Sequence, residues 1–306
     1  MIERAIDPPL DGLATATVWN DSGGVGKTTV TINTADSLGR MGFDVLVIDL
    51  DPQTGSFTHH VGAVNARDQI DVTDILVNEP ENLDSLLLEG DQPSLGLSFD
   101  LIPASKSLED FSKALSRYDG NKIKILKSAI RRSGLGQEYD VLLIDAPGNR
   151  NLLVQNALVA TQNALIPVEA SPKGEASLDG LREYILSQEQ VLQRDGFDSD
   201  IGVLGVVPSI VEGQLPNTKR RALKQYNERR ENEGMPVTPF FLWKRNILEK
   251  AWENEQTLRD FIASDDTRDP RSNEEDLPMR FDYLANLVLT ADTSMAEADF
   301  NDFDKL

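Results

Sequence analysis

The chain has no cysteine among its 306 residues and only two histidines, which are adjacent at positions 59 and 60. The absence of cysteine excludes a disulfide-stabilised fold, a zinc–thiolate site, an iron–sulfur cluster and a cysteine nucleophile. Two neighbouring histidines leave almost no basis for a multi-histidine metal site. Hydrophobic residues make up 40% of the chain. That share is enough for a full core, so the composition predicts a folded protein.

Long apolar runs and basic residues are also scarce. No apolar run approaches the roughly 20 residues that a membrane-spanning helix needs, and the first ten residues carry no secretory signal. We therefore expect a cytoplasmic protein. The chain has 51 Asp and Glu against 30 Lys and Arg, which gives a net charge of −21. Asp exceeds Glu and Arg exceeds Lys. This bias predicts a halophilic protein, because concentrated salt screens like-charge repulsion; an acidic mesophilic protein is the alternative.

Short apolar runs alternate with segments of helical period along most of the chain. Several runs are apolar throughout, which is typical of parallel strands that are covered on both faces. This alternation predicts an α/β fold with a doubly wound, mostly parallel sheet and helices on both faces. Strands are predicted at 14–20, 45–49, 97–103, 141–145, 164–168, 201–208 and 237–242. Helices are predicted at 27–41, 108–116, 122–133, 152–160, 176–194, 218–233 and 247–253.

The domain organisation is predicted to be simple. We expect one domain over residues 14–291, preceded by an N-terminal extension over 1–13. Residues 265–276 contain six acids and one proline, so they are predicted to form an acidic loop inside that domain. Residues 292–306 contain five acids and one lysine and are predicted to be a flexible tail.

A glycine-rich segment joins the first predicted strand to a predicted helix. In this context glycines let backbone N–H groups converge on phosphate oxygens, and the helix N-terminus adds partial positive charge. Lys27 is predicted to reach the β- and γ-phosphates, and the Thr28 hydroxyl to ligate Mg²⁺. The predicted phosphate loop consists of Gly23, Gly24, Val25, Gly26, Lys27, Thr28 and Thr29.

Three aspartates lie at the ends of predicted strands. Asp49 and Asp51 come at the end of the second strand, and Asp145 ends the fourth. Because parallel sheets bind ligands at the carboxyl ends of their strands, we expect these acids near the phosphate loop. Their oxygens are the hard ligands that Mg²⁺ prefers. In so acidic a chain, a helix cap or a solvated turn is the alternative for each acid alone.

Residues 20–29 read NDSGGVGKTT, which resembles the deviant Walker A loop of the ParA/MinD family of partition and positioning ATPases. Residues 45–53 (VLVIDLDPQ) resemble the family's second strand and switch I, and residues 141–148 (VLLIDAPG) its Walker B strand and switch II. Segments 164–168 and 242–248 lie where the family has its interface and adenine-side loops. The resemblance covers most of residues 14–262, and the DPQ of switch I favours the ParA (Soj-like) branch.

This resemblance implies a mechanism and a set of residue roles. ATP and Mg²⁺ are the expected cofactors, and an ATP-sandwich homodimer is the expected assembly. Asp51 is expected to position the attacking water, and Asp49 and Asp145 to hold Mg²⁺ with Thr28, directly or through water. Pro208 and Trp243 are expected on the adenine side.

One position departs from the family pattern. Ser22 stands where the family has a signature lysine that crosses the dimer interface to the partner's phosphates. The absence of this lysine resembles a carboxysome-positioning branch of the family, in which a lysine elsewhere in the chain has the role of the signature lysine. Lys173, just after a predicted strand end, is the first candidate for this role, and Arg150 is the second. An ordinary solvated lysine is the alternative for Lys173.

Two segments are basic although the chain is acidic. Residues 217–230 contain six cations and one acid, and residues 122–132 contain five cations and no acid. The resemblance implies non-specific DNA binding by basic residues late in the chain, and such binding is driven by counterion release. For residues 122–132 a solvated helix face is the preferred interpretation. The predicted DNA-binding residues are Lys219, Arg220, Arg221, Lys224, Lys244 and Arg245.

The sequence therefore predicts a ParA-like ATPase that associates with the nucleoid and moves DNA or a protein cargo. Its predicted partners are a second copy, non-specific DNA and an adaptor or activating protein. An acidic tail argues against membrane binding of the MinD type. Two alternatives stay open: an ATP-binding scaffold with little hydrolysis, which Ser22 favours, and a metabolic P-loop enzyme such as an amidoligase-type synthetase.

Overall fold

The computed structural model describes most of the chain. The described residues are 10, 12–53, 56–67, 70–92, 95–194, 200–209, 215–243, 246–264, 276–291, 300, 302–303 and 306. Lys244, Arg245 and most of the predicted acidic loop and tail lie outside them.

Six parallel strands form one sheet, in the order β3-β2-β4-β1-β5-β6. The strands are β1 Ala14–Val18, β2 Val45–Asp49, β3 Asp100–Ile102, β4 Val141–Asp145, β5 Asn163–Glu169 and β6 Gly202–Ser209. β1 lies between β4 and β5, and its register pairs Val18 with Asp145. The residues that follow β1 and β4 therefore leave the sheet side by side.

Helices connect the strands. They are α1 Lys27–Arg40, α2 Phe57–His60, α3 Val64–Arg67, α4 Val72–Asn78, α5 Phe111–Ala114, α6 Ile125–Ser133, α7 Leu152–Thr161, α8 Pro172–Arg194, α9 Asn217–Glu233, α10 Asn246–Glu253, α11 Leu258–Ser264 and α12 Leu277–Thr290. Short 3₁₀ turns span Pro80–Leu86, Lys106–Asp110, Leu115–Arg117 and Leu135–Gln137.

Both faces of the sheet are covered, as the apolar strands predict. Alternate residues of β2 point to opposite sides. Leu46 and Ile48 belong to a core with helices α4 to α9, whereas Val45 and Val47 belong to a core with α1 and helices α10 to α12. The prediction of a doubly wound parallel sheet is confirmed.

Two predicted elements are wrong. Residues 237–242 form a single bridge, between Val237 and Val206, rather than a seventh strand. Pro236 precedes this segment and Pro239 lies inside it, and proline cannot donate to a strand ladder. The helix predicted over 108–116 is broken into 3₁₀ and α turns.

The described residues near the end of the chain pack on the body of the protein. Asp302 pairs with Arg280, and the side chains of the two are 7% and 3% exposed. Phe303 contacts the Phe241 ring at 5.6 Å. Residues 302 and 303, which belong to the segment predicted as a tail, thus contact α12 and the segment that follows α9. Among the described residues, no helix combines the length and the hydropathy that crossing a membrane requires.

Candidate nucleotide-binding site

The glycine-rich loop lies at the carboxyl end of β1 and leads into α1. Gly24 and Gly26 have φ angles of 72° and 88°, a left-handed conformation that glycine adopts without strain. The loop brings the chain to the N-terminus of a 14-residue helix. The unbonded N–H groups of its first turn form a site suited to a phosphate group.

Lys27 is held inside this loop. Its side chain is largely buried, and its Nζ donates a hydrogen bond to the Ser22 carbonyl at 3.0 Å. A Cβ added to Gly148 would lie 3.0 Å from Nζ, so glycine leaves room for the ammonium group. Burial lowers the pKa of Lys27, although Asp145 and Asp51 favour its charged form. A phosphate would add negative charge beside this buried ammonium group and stabilise its charged form further.

Asp145 meets the first turns of α1. Its carboxylate accepts hydrogen bonds from the Thr28 hydroxyl at 2.9 Å and the Thr31 hydroxyl at 2.8 Å. Burial and the neighbouring Asp49 raise the pKa of Asp145. The structure thus places Thr28 and Asp145, which the sequence predicts as metal-site residues, within hydrogen-bonding distance of each other.

Asp49 stands beside Asp145 in register across β2 and β4. It is fully buried, and burial raises its pKa. One carboxylate oxygen accepts from the Asp51 N–H, and the other from the Ser56 hydroxyl and from the N–H and hydroxyl of Thr58. Asp49 therefore fixes the segment that follows β2.

Asp51 lies on that segment and is half-buried. Its carboxylate accepts from the Gln53 N–H at 3.0 Å. Its charge favours the ammonium form of Lys27, so the two side chains belong to the same site.

The arrangement fits a hard divalent cation. Two adjacent buried carboxylates whose pKa values are raised by burial favour a compensating charge. The hydroxyl of Thr28 and the Asp145 carboxylate supply oxygen donors at the loop. Within the described residues, no three His, Cys, Asp or Glu side chains form a metal cluster. Mg²⁺ binds in such sites through one or two protein ligands, phosphate and water.

A cavity of about 480 Å³ opens beside the loop. Trp243, which the sequence predicts on the adenine side, lines it, whereas Pro208 is buried in β6 and accepts from the Leu242 N–H at 2.7 Å. The cavity is large enough for a nucleobase and lies against the phosphate loop. It is lined by Gly24, Gly26, Thr29, Ser209, Leu242, Trp243, Leu248, Glu249, Trp252 and Glu253.

Three site residues were not found by sequence reasoning. Thr31 follows Thr28 by three residues on the same helix, so helical spacing could have indicated it. The Ser209 hydroxyl lies 2.6 Å from the Val25 carbonyl and links β6 to the loop. Nothing in the sequence indicates Trp252 as a site residue, since an aromatic residue in an amphipathic helix is typical of a core position.

The two candidates for the missing signature lysine differ in their surroundings. Arg150 donates to Asp21 at 2.7 Å, to the Gly180 carbonyl, and lies over the Tyr184 ring. Lys173 is exposed at the start of α8. Its turn is tightly packed, because a Cβ on Gly174 would lie 2.1 Å from the Glu169 carbonyl.

The predicted DNA-binding residues fall on α9. Arg220, Arg221 and Lys224 are exposed on one side of the helix, and Lys219 is half-buried. The opposite side is buried through Ala222, Leu223 and Tyr226. Arg220 donates to the Leu306 carbonyl at 3.0 Å. Lys244 and Arg245 lie outside the described residues.

Arg229 and Arg132, two other cations of these basic segments, form ion pairs with acids of the chain. Arg229 pairs with Glu175 and Asp179 at 2.9 Å. In the 122–132 segment, Arg132 pairs with Glu81 at 2.7 Å, as expected for a solvated helix face.

A glycine loop with a buried lysine, a following threonine and paired aspartates at the carboxyl ends of adjacent parallel strands defines the class of P-loop nucleotide-binding α/β proteins. The AAA_31 family model, described as an AAA domain, matches residues 14–200. The chain belongs to this family and, as its relatives show, to the ParA/MinD ATPases.

Two of these relatives are close enough to align over most of their length. The chain is 33% identical to the chromosome-partitioning ATPase Soj of Thermus thermophilus over 195 residues, which are 64% of this chain and 68% of that protein. It is 32% identical to the maintenance of carboxysome distribution protein A of Synechococcus elongatus over 196 residues, 64% and 72% of the two chains. The fold is similar to that of a Cyanothece McdA variant in complex with ATP, with a TM-score of 0.70 at 21% identity, covering 90% and 96% of the two chains.

Proposed function

We propose that this protein is a ParA-like ATPase that binds Mg-ATP, forms an ATP-dependent dimer on non-specific DNA and hydrolyses ATP to segregate DNA or position a protein cargo. The observation that carries the proposal is that Lys27 is buried in the loop after β1 and that Thr28, the next residue, donates to the buried Asp145 at the end of β4. The similarity of the chain to a partition ATPase and to a carboxysome-distribution protein supports a role in positioning DNA or cargo.

The residues divide the chemistry of ATP hydrolysis between them. Lys27 neutralises charge on the β- and γ-phosphates, and Thr28 and Asp145 hold Mg²⁺ directly or through water, with Asp49 behind them. Bound Mg²⁺ supplies charge neutralisation at the phosphate oxygens. Asp51 positions the water whose oxygen forms a bond to the γ-phosphorus as the bond to the ADP oxygen breaks. Phosphoryl transfer needs mainly positioning and electrostatic stabilisation, so this set is sufficient.

In the dimer, Lys173 takes the role of the signature lysine that Ser22 lacks. Its exposure supports this choice, and the bonds that hold Arg150 to Asp21 and Gly180 make Arg150 the second choice. Lys173→Ala is expected to weaken the ATP-dependent dimer in sedimentation velocity, whereas Arg150→Ala leaves it assembled. Unchanged dimerisation of the Lys173 variant would remove Lys173 from this role.

DNA binding is assigned to Arg220, Arg221 and Lys224 on the exposed side of α9, with Lys219 beside them, and to Lys244 and Arg245. The protein acts in the cytoplasm, where DNA binding associates it with the nucleoid. An adaptor or activating partner stimulates hydrolysis. The excess of aspartate over glutamate supports a halophilic setting. Since salt weakens non-specific DNA binding steeply, such a setting requires many phosphate contacts.

A second candidate is a nucleotide-dependent scaffold that binds ATP and scarcely hydrolyses it, which Ser22 favours. Steady-state phosphate release compared with that of Asp51→Ala separates the two functions. We expect the native chain to release phosphate faster than the variant at equal ATP occupancy. Equal rates would favour the scaffold. Turnover that depends on a small molecule and ignores DNA would favour a metabolic enzyme.

A further inference from the structure

Trp252 of α10 belongs to two structural units at once. One is the cavity beside the phosphate loop, whose wall includes Trp252. The other is α2, the short helix that follows Asp51. The His60 ring meets the Trp252 ring edge-on, with centroids 4.4 Å apart, and the His59 ring stacks on it at 6.4 Å. The indole of Trp252 therefore lies between the cavity that could hold a nucleobase and α2, the helix that follows Asp51.

His60 is fixed from both sides. The Gln256 carbonyl lies 3.0 Å from its Nε2, and because a carbonyl only accepts, Nε2 carries the proton. Burial lowers the pKa of His60 to about 4, so the ring is neutral at physiological pH. A neutral ring with a single hydrogen bond is held largely by its packing, and Trp252 is an aromatic neighbour in that packing.

The far end of α2 is tied to the phosphate chemistry. The Thr58 N–H and hydroxyl donate to Asp49 at 2.9 and 2.6 Å. The same carboxylate accepts from the Asp51 N–H at 2.9 Å. A ring contact joins Trp252 to His60. Thr58, two residues before His60 on the same helix, donates to the aspartate that holds the Asp51 backbone.

We propose that Trp252 is a positioning residue that transmits occupation of the base cavity to Asp51 through α2. A nucleobase in the cavity restricts the Trp252 ring, the ring holds His60, and α2 keeps Asp49 and Asp51 in place. The base of the nucleotide thereby contributes to the rate of hydrolysis and not only to affinity. This inference rests on the proposed ATPase function and names the residue that regulates its site.

The chain contains a matched control in Trp243. This tryptophan lines the same cavity, and its ring contacts the Phe241 ring at 4.9 Å, in the segment that follows α9. Replacing either tryptophan with alanine removes one indole from the wall of the cavity. The Trp252 substitution also removes the ring contacts with His59 and His60 of α2.

The first experiment needs no hydrolysis. Amide hydrogen exchange of residues 56–60 is measured in the full chain, without nucleotide and with a saturating non-hydrolysable ATP analogue and Mg²⁺. Nucleotide is expected to slow exchange at Thr58 at least fivefold in the native chain and in Trp243→Ala, and to leave it unchanged in Trp252→Ala. Equal protection in both variants at saturation would overturn the proposal.

The second experiment measures KM and kcat of the tryptophan variants, which separates an effect on ATP affinity from an effect on the rate of hydrolysis. Trp243→Ala is expected to raise KM about tenfold with kcat within about twofold, the pattern of lost uniform binding. Trp252→Ala is expected to lower kcat about fivefold or more as well, and Trp252→Phe to restore most of kcat because it keeps an aromatic ring at α2. Thermal melting of each variant without nucleotide verifies that it is folded.

The outcomes separate this inference from the proposed function. If the native chain does not bind the analogue in isothermal titration, the ATP-binding function itself fails. If it binds the analogue, and both tryptophan variants change KM alone, the function stands and the coupling through Trp252 is wrong.

Discussion

The nucleotide site and the outward side of α9 both depend on charged groups, but the fold treats those groups in opposite ways. At the nucleotide site Lys27, Asp49 and Asp145 are 8%, 0% and 1% exposed. On α9, Arg220, Arg221 and Lys224 are exposed. The side chains of the first set are buried and held by hydrogen bonds inside the protein, whereas those of the second are exposed to water, Arg220 also donating to the Leu306 carbonyl.

This difference determines how firmly each function can be inferred. A buried charge costs free energy unless a partner compensates it, so its surroundings indicate what it binds. An exposed charge is stable in water with or without a partner. The nucleotide site can therefore be argued from geometry, while the DNA surface depends on charge density and on experiment.

The largest effect is expected at the buried lysine. Lys27→Ala removes the ammonium group that faces the phosphates and should weaken ATP binding about a thousandfold, or roughly 4 kcal/mol. Isothermal titration with Mg-ATP measures the change. Lys173→Ala should leave the affinity of the monomer for ATP within about twofold. Retained affinity in the Lys27 variant would place the nucleotide elsewhere.

The contrast between buried and exposed charges can also be tested through protein stability, with one buried ion pair and one exposed ion pair. Asp302→Ala leaves the buried Arg280 without its closest carboxylate and should lower the free energy of unfolding by about 3 kcal/mol or more. Asp179, whose side chain is 61% exposed, pairs with Arg229, and Asp179→Ala should cost about 1 kcal/mol or less. Urea titrations measure both, and equal losses would contradict the contrast.

The pH dependence of stability should report the buried histidine. The pKa of His60 falls from 6.5 to about 4 on folding, so the unfolded chain binds a proton that the folded chain excludes. Stability is then fully present above pH 6.5 and lost as the pH falls toward 4, by about 3 kcal/mol at pH 4. His60→Gln should remove this component. The difference between the two unfolding curves isolates it, because all other groups titrate in both proteins.

The smallest predicted effect concerns the exposed cations. Neutralising Arg220, Arg221 and Lys224 together should weaken DNA binding about thirtyfold in moderate salt and reduce its salt slope by about three. Neutralising Lys122, Arg131 and Arg132, with the same change of charge, is the control and should have little effect. If the control variant loses more affinity than the α9 variant, the DNA surface lies on α6.

Sequence reasoning predicted the sheet and the phosphate loop because both depend on local pattern. Runs such as β2 and β4 are apolar throughout and were predicted with their observed bounds. The segment after α9 was predicted wrongly, since its apolar residues outweighed the two prolines that break it. Its aromatic residues pack into the core without joining the sheet.

Parts of the site that depend on tertiary contacts could not be predicted. The role of Asp49 as the anchor of α2 depends on Thr58, nine residues further along the chain. Trp252 meets His60 across 192 positions of sequence, and no periodicity encodes such a contact. The pairing of Asp302 with Arg280 likewise depends on where α12 lies.

Co-sedimentation with non-specific DNA, with and without Mg-ATP across a KCl series and with liposomes as a control, tests the central proposal most directly. We expect binding to DNA that requires ATP, weakens steeply with KCl and has no counterpart on liposomes. A chain that binds ATP but neither DNA nor liposomes would contradict a partition ATPase. It would leave α9 as a solvated helix and favour the scaffold or the metabolic enzyme.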